Sequence, residues 1–114
     1  MPTLLAKSRT YAYYNQEGRC IYCDYPMWVS SALRYAKLYG CSIAQARRLK
    51  CTAEHLVAKQ DGGKDYRSNI AAACDLCNQR RHRRNDDLSP QAYRELVQRK
   101  LKKGNWHSFK IGRV

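Results

Sequence analysis

Acidic side chains are scarce in this chain. Nine Asp and Glu stand against 22 Lys and Arg, a formal net charge of +13 at pH 7. Such an excess argues against a cationic partner and favours a polyanion, with nucleic acid first in line. Plain solubility is the bland alternative. Long apolar runs are missing too. No stretch approaches the roughly 18 apolar residues of a membrane-spanning helix, so no membrane partner is expected. The opening MPTLLAKSRTYAYYNQEG lacks the apolar centre of a signal peptide, which points to a cytoplasmic protein. Internal repeats and low-complexity linkers are absent as well. The 114 residues therefore read as one domain, 1–114, with a modest core. A chain of this size buries about two-thirds of its unfolded surface, so a bound metal would add substantially to its stability.

What the chain has is cysteine in pairs. Cys20-Ile21-Tyr22-Cys23 and Cys74-Asp75-Leu76-Cys77 are two Cys-x-x-Cys motifs. In a reducing compartment such pairs read as zinc ligands rather than disulfides. Zn²⁺ takes four thiolates tetrahedrally, and a two-residue gap lets both sulfurs of a pair reach one ion. Buried or redox-active thiols are the alternative. A structural zinc contributes on the order of 10 kcal/mol, comparable with the whole stability of a small domain. Cys41 and Cys51 remain, and both are expected to be small buried hydrophobes.

The segment from Lys50 to Arg84 concentrates the chemistry. Cys51-Thr52-Ala53 suits a strand, Asp61-Gly62-Gly63-Lys64 a turn, and Asn69-Ile70-Ala71-Ala72 a second strand. Asp75 to Arg84, rich in Leu, Gln and Arg, reads as a helix. Asn78 and His82 then share one helical face, and the hairpin brings Glu54-His55 beside it. Before this segment, Ser30 or Ser31 caps a helix that stops at Gly40, and Ser42 with Gln45 forms a capping box for another. The two helices within 28–50 read as an inserted αα-hairpin, with a helix-turn-helix as the weaker reading. Ser89-Pro90 starts a last helix, 89–103, with its cap and proline in favoured places. Tyr93, Leu96, Val97 and Leu101 recur along it at helical spacing. Met1 to Gly18 reads only as a basic lead-in, whose Tyr11, Tyr13 and Tyr14 pack on the domain or touch a nucleic-acid backbone. Trp106 is expected to pack against the domain, and His107 to have no catalytic part.

The pattern resembles the HNH endonuclease family, a ββα-metal (His-Me finger) nuclease motif. The residues that carry the likeness are Glu54-His55, Asn69, and Asn78 within Cys74-Asp75-Leu76-Cys77-Asn78, with Cys20 and Cys23 as the other half of a zinc site. Two positions depart from the family pattern. Asn78 stands where a final histidine is common, and Ala58 replaces a frequent proline. His82, one turn after Asn78, matches the second histidine of the colicin-type branch. It either ligates the metal or faces solvent and phosphate.

The resemblance implies a small α+β fold: a ββα-metal core over 50–84, a four-cysteine structural zinc site, the inserted hairpin and a C-terminal helix. It implies a metal-dependent endonuclease cutting DNA, with His55 as general base and Asn69 bracing the hairpin loop. Glu54, Asn78 and His82 would hold one catalytic divalent ion. That mixed donor set suits Mg²⁺ or Mn²⁺, and with His82 also Ni²⁺ or Zn²⁺. Arg80, Arg81, Arg83, Arg84, Lys64 and Arg67 would contact DNA, expected to be double-stranded and approached through the minor groove by analogy with the family. A monomer or weak dimer in a bacterial or phage-infected cell fits the family's usual company. A zinc-dependent binding module without chemistry, or an RNase on the same scaffold, are the rival readings.

Overall fold

Strand β2 (Ile70–Cys74) is the inner rail of the computed structural model, which describes residues 1–111. Its sequence, Ile-Ala-Ala-Ala-Cys, presents small side chains, so neighbouring chain can close in on it; all five residues are buried. It pairs antiparallel with β1 (Cys51–His55), in register from Cys51 opposite Cys74 to His55 opposite Ile70. A two-stranded sheet leaves an open edge on each strand, and unpaired backbone groups on a buried strand are costly. Gln16 settles part of that account for β2. Its side-chain amide donates to the Ala72 carbonyl at 2.9 Å and accepts from the Ala72 N–H at 2.9 Å, standing in for a neighbouring strand.

Among the described residues five α-helices accompany the hairpin: α1 (Leu4–Asn15), α2 (Ala32–Tyr39), α3 (Ile43–Arg47), α4 (Asp75–His82) and α5 (Pro90–Lys102). The starts and stops follow the sequence signals. Ser31 caps α2 and Gly40 ends it in the left-handed conformation, at φ 68°. The Ser42–Gln45 capping box opens α3, which is shorter than the sequence implies. Ser89 caps α5 with Pro90 in its first turn. The small α+β architecture with a two-stranded antiparallel sheet is as read from the sequence.

One element differs from expectation. The lead-in is a regular helix, α1, capped by Thr3 and packed along the sheet. The inserted α2–α3 hairpin is built into the main core, with Tyr35, Ala36, Ala46 and Leu49 buried together with the paired cysteines. Its base is closed by backbone bonds from Trp28 N to Leu49 O and from Cys51 N to Trp28 O. Trp106 is buried as expected. Cys51 is buried and Cys41 half-buried, so only the first fully meets the expectation for both. No helix among the described residues is long and apolar enough to cross a membrane.

Candidate metal centres and nuclease site

The four paired cysteines meet at the base of the hairpin. Cys20 and Cys23 come from the turn after α1, Cys74 ends β2, and Cys77 lies in the first turn of α4; all are buried and free. Their sulfurs lie within 4.8 Å of one another, and Cys23 Sγ stands 3.9 Å from Cys74 Sγ. Tetrahedral zinc with bonds of about 2.3 Å sets its sulfurs about 3.8 Å apart, so the cluster fits the ion. Burial pushes the Cys74 and Cys77 thiols well up, reinforced by hydrogen bonding with Cys20. Burial also acts to raise Cys20, but hydrogen bonds from Cys23, Cys74 and Cys77 outweigh it and bring that thiol well down. Cys20 is thus disposed to ionise while Cys74 and Cys77 keep their protons, which a bound divalent cation would have to displace.

Every sulfur has a further contact. The backbone N–H groups of Tyr22 and Cys74 point at Cys20 Sγ, at 3.4 and 3.3 Å. That of Cys77 points at Cys74 Sγ, at 3.4 Å. The C-terminal tail supplies the others: Trp106 Nε1 donates to Cys77 Sγ at 3.3 Å, and His107 Nε2 lies 3.3 Å from Cys23 Sγ. Burial pushes His107 down to about 4, so its imidazole is neutral, and its buried Nδ1 has no partner among the described residues. Its place against the four-cysteine cluster is not legible in the sequence, since nothing in the spacing links His107 to Cys23.

The second site is built on β1 and α4. Adjacent strand residues point to opposite faces, which separates Glu54 from His55. Glu54 is fully buried. Its Oε2 accepts from the Tyr22 hydroxyl at 2.8 Å and from Arg81 Nη1 at 3.0 Å, while Oε1 lies 3.2 Å from His82 Nε2. Burial, then the neighbouring Glu54 charge, raise the Tyr22 phenol strongly, so it stays a donor. Two donors each about 2.1 Å from one ion, at near right angles, stand about 3 Å apart, so the Oε1–Nε2 gap also fits shared ligation of a divalent cation. Asn78 faces the same strand. Its amide nitrogen donates to Thr52 Oγ1 and to the Ala53 carbonyl, both at 3.0 Å. That leaves its amide oxygen, Oδ1, as the end available to a metal.

His55 belongs to a different group. Its Nε2 lies 2.8 Å from Asp65 Oδ1, and among the described residues it makes no hydrogen bond to Glu54, Asn78 or His82. The sequence reading brings all four side chains together. The structure instead joins Glu54 to His82, sets Asn78 on the same side of β1, and pairs His55 with Asp65. Nothing in the sequence singles out Asp65, although it sits just after the Gly-Gly turn. The bond to His55 holds its carboxyl below the usual range. Asn69 ties the intervening loop: Oδ1 accepts from Val57 N, and Nδ2 donates to the carbonyls of Val57 and Lys64. Gly63 is required here, because a Cβ would collide with the Val57 carbonyl.

The basic residues divide. Arg81 turns inward to Glu54 and to the Leu88 carbonyl. Arg80 lies over the Trp106 ring, 4.6 Å from its centroid, and donates to the Trp106 carbonyl. Helix periodicity puts one face of any arginine run against the fold, and these two occupy it. Arg83, Arg84, Lys64 and Arg67 lie further out. A cleft of roughly 410 Å³ opens beside the Glu54 group, lined by Leu56, Val57, Arg81, His82 and Arg84 among others. His55 is not in its wall.

Strand, loop, strand and a cysteine-anchored helix together form a ββα unit that carries a histidine and an asparagine. The family model described as HNH endonuclease matches residues 40–84, which take in both strands and α4. The resemblance read from the sequence therefore holds over this segment. No curated protein and no solved structure matched the chain.

Proposed function

We propose that this protein is a metal-dependent endonuclease that hydrolyses phosphodiester bonds in double-stranded DNA, acting in the cytoplasm as a monomer or weak dimer. The observation that carries the reading is the buried Glu54 carboxylate with one oxygen set 3.2 Å from His82, a residue that lines the open cleft, both within the HNH-matching segment. Glu54, His82 and Asn78 would hold a divalent cation such as Mg²⁺, Mn²⁺ or Ni²⁺, which when bound supplies Lewis-acid polarisation of the phosphate and charge neutralisation at the leaving oxygen. His55 takes a proton from water as general base, and the water oxygen attacks phosphorus as the 3′ oxygen departs. Asn69 holds the loop that follows His55. Arg83, Arg84, Lys64 and Arg67 bind phosphates, giving position without sequence choice. The four-cysteine site holds structural zinc.

One observation favours a second reading, a zinc-dependent nucleic-acid-binding module without chemistry. Arg81 and Tyr22 already occupy Oε2 of Glu54, leaving a single oxygen for a metal. Plasmid relaxation separates the two. The zinc-loaded protein is incubated with supercoiled DNA and Mg²⁺, Mn²⁺ or Ni²⁺, beside a chelated control and a structured RNA. Metal-dependent nicking that falls about 10²- to 10⁴-fold in His55→Ala supports the nuclease and its base. Binding without nicking under every metal supports the module, and cleavage of RNA alone moves the substrate to RNA.

A further inference from the structure

We infer that Asp65 is the positioning residue for His55, fixing the imidazole with its proton on Nε2 and its lone pair on Nδ1. The inference rests on the proposed role of His55 as general base. An ionised carboxylate can only accept hydrogen bonds, so the 2.8 Å contact between Asp65 Oδ1 and His55 Nε2 requires the hydrogen to sit on Nε2. The other ring nitrogen is then the basic one. A histidine free to exchange tautomers presents that lone pair only part of the time, and in either of two directions. One held by a carboxylate presents it continuously.

Asp65 is itself held from two directions. Its backbone carbonyl accepts from Ser8 Oγ at 2.6 Å, and Ser8 is a fully buried polar residue on α1. From the loop, the neighbouring Lys64 carbonyl accepts from Asn69 Nδ2 at 2.9 Å. The lead-in helix thus reaches the site through Ser8, Asp65 and His55 in sequence. Lys59 Nζ lies 3.9 Å from the same Oδ1 and adds a positive group beside the carboxylate. A surface ion pair would explain Lys59 and Asp65. It would not explain why a buried serine anchors the backbone of that aspartate while its carboxylate takes up one ring nitrogen of a histidine.

The test reads the tautomer directly. Long-range ¹H–¹⁵N spectra of the full, zinc-loaded protein at one fixed pH assign which nitrogen of His55 carries hydrogen. The expected result is Nε2–H in the wild type and a mixture in Asp65→Ala, with Asp65→Glu restoring part of the wild-type pattern. In single-turnover nicking, Asp65→Ala should lose roughly 10- to 100-fold in the cleavage step, a part of the worth of a positioned base, while DNA affinity stays unchanged. A wild-type spectrum with hydrogen on Nδ1, or an Asp65→Ala spectrum identical to wild type, overturns the inference. Failure of the nuclease reading shows separately, as wild-type rates in His55→Ala with the tautomer result intact.

Discussion

The hydroxyl of Tyr22, set between Cys20 and Cys23 of the four-cysteine cluster, donates to Oε2 of Glu54 at 2.8 Å. The Cys20–Cys23 turn and the β1 carboxylate are therefore parts of one buried assembly, and the state of the first site bears on the second. Tyr22 also packs edge-on against Tyr93, with ring centroids 4.8 Å apart, so the phenol is fixed from both ends. Tyr22→Phe keeps that packing and removes only the donor. A hydrogen bond to a buried charged group is worth about 1.5–3 kcal/mol. We expect the variant to retain zinc but to lose about that much stability in denaturant titration. A variant as stable as wild type would show that Glu54 does not depend on Tyr22.

Glu54→Ala should not behave as a clean loss of a metal ligand. It leaves Arg81, largely buried, without its carboxylate. Removing one partner of a buried pair costs about 3–5 kcal/mol, a large part of a small domain's stability. Glu54→Gln keeps an acceptor at the same place and should fold better while binding divalent metal poorly. Thermal melts beside calorimetric Mn²⁺ titration separate the two effects. Equal melting points for the two substitutions would count against a stabilising role for the Glu54–Arg81 pair.

Zinc binding should strengthen as pH rises. The Cys74 and Cys77 thiols are held well above their ordinary value, so both still carry protons at neutral pH and the entering ion must displace them. Raising pH removes that competition, and lowering it restores protons to the sulfurs. Competition against a chelator at pH 6.5 and pH 8 should show tighter binding at the higher pH, with one ion per chain. An affinity that does not change with pH would show that the ion displaces no protons, and replacement of Cys74 by serine should abolish tight binding.

The arginines of α4 and its C-terminal end should fail in two different ways. Neutralising Arg83 and Arg84 should weaken DNA binding and reduce the slope of log affinity against log salt by nearly one for each phosphate no longer neutralised. Arg80→Ala should instead cost stability, about 0.5–2 kcal/mol for the stack on Trp106. Fluorescence anisotropy at several salt concentrations, alongside denaturant titration, distinguishes the two kinds of variant. Identical salt slopes for wild type and the Arg83, Arg84 double variant would remove these residues from the interface.

Much of the fold is written locally in the chain. The cysteine pairs declare themselves by spacing, the helix starts by Ser31, Ser42 and Ser89, and the hairpin by its Gly-Gly turn. Helix α1 does not declare itself, because it docks mainly through Ser8 and Ala12, one small polar residue and one small apolar one. Such docking leaves no hydrophobic stripe to read. The arginine run is visible as charge, but composition does not tell which face turns inward; that depends on where Glu54 and Trp106 come to rest. The His55–Asp65 pair is hidden for a similar reason. It requires a loop folded back on Gly63, a close approach that sequence spacing does not specify.

The tail that covers the cysteine cluster also gives the protein an optical signal of its own. Of its two tryptophans, Trp106 places its indole N–H on Cys77 Sγ, while Trp28 donates to the Ala46 carbonyl. Withdrawal of a bound ion would return a proton to Cys77 Sγ and weaken its hold on the Trp106 indole, and a buried indole that swings into water emits at longer wavelength. Emission from the unlabelled chain should therefore track zinc occupancy as it changes, with a Trp106→Phe variant as the silent control.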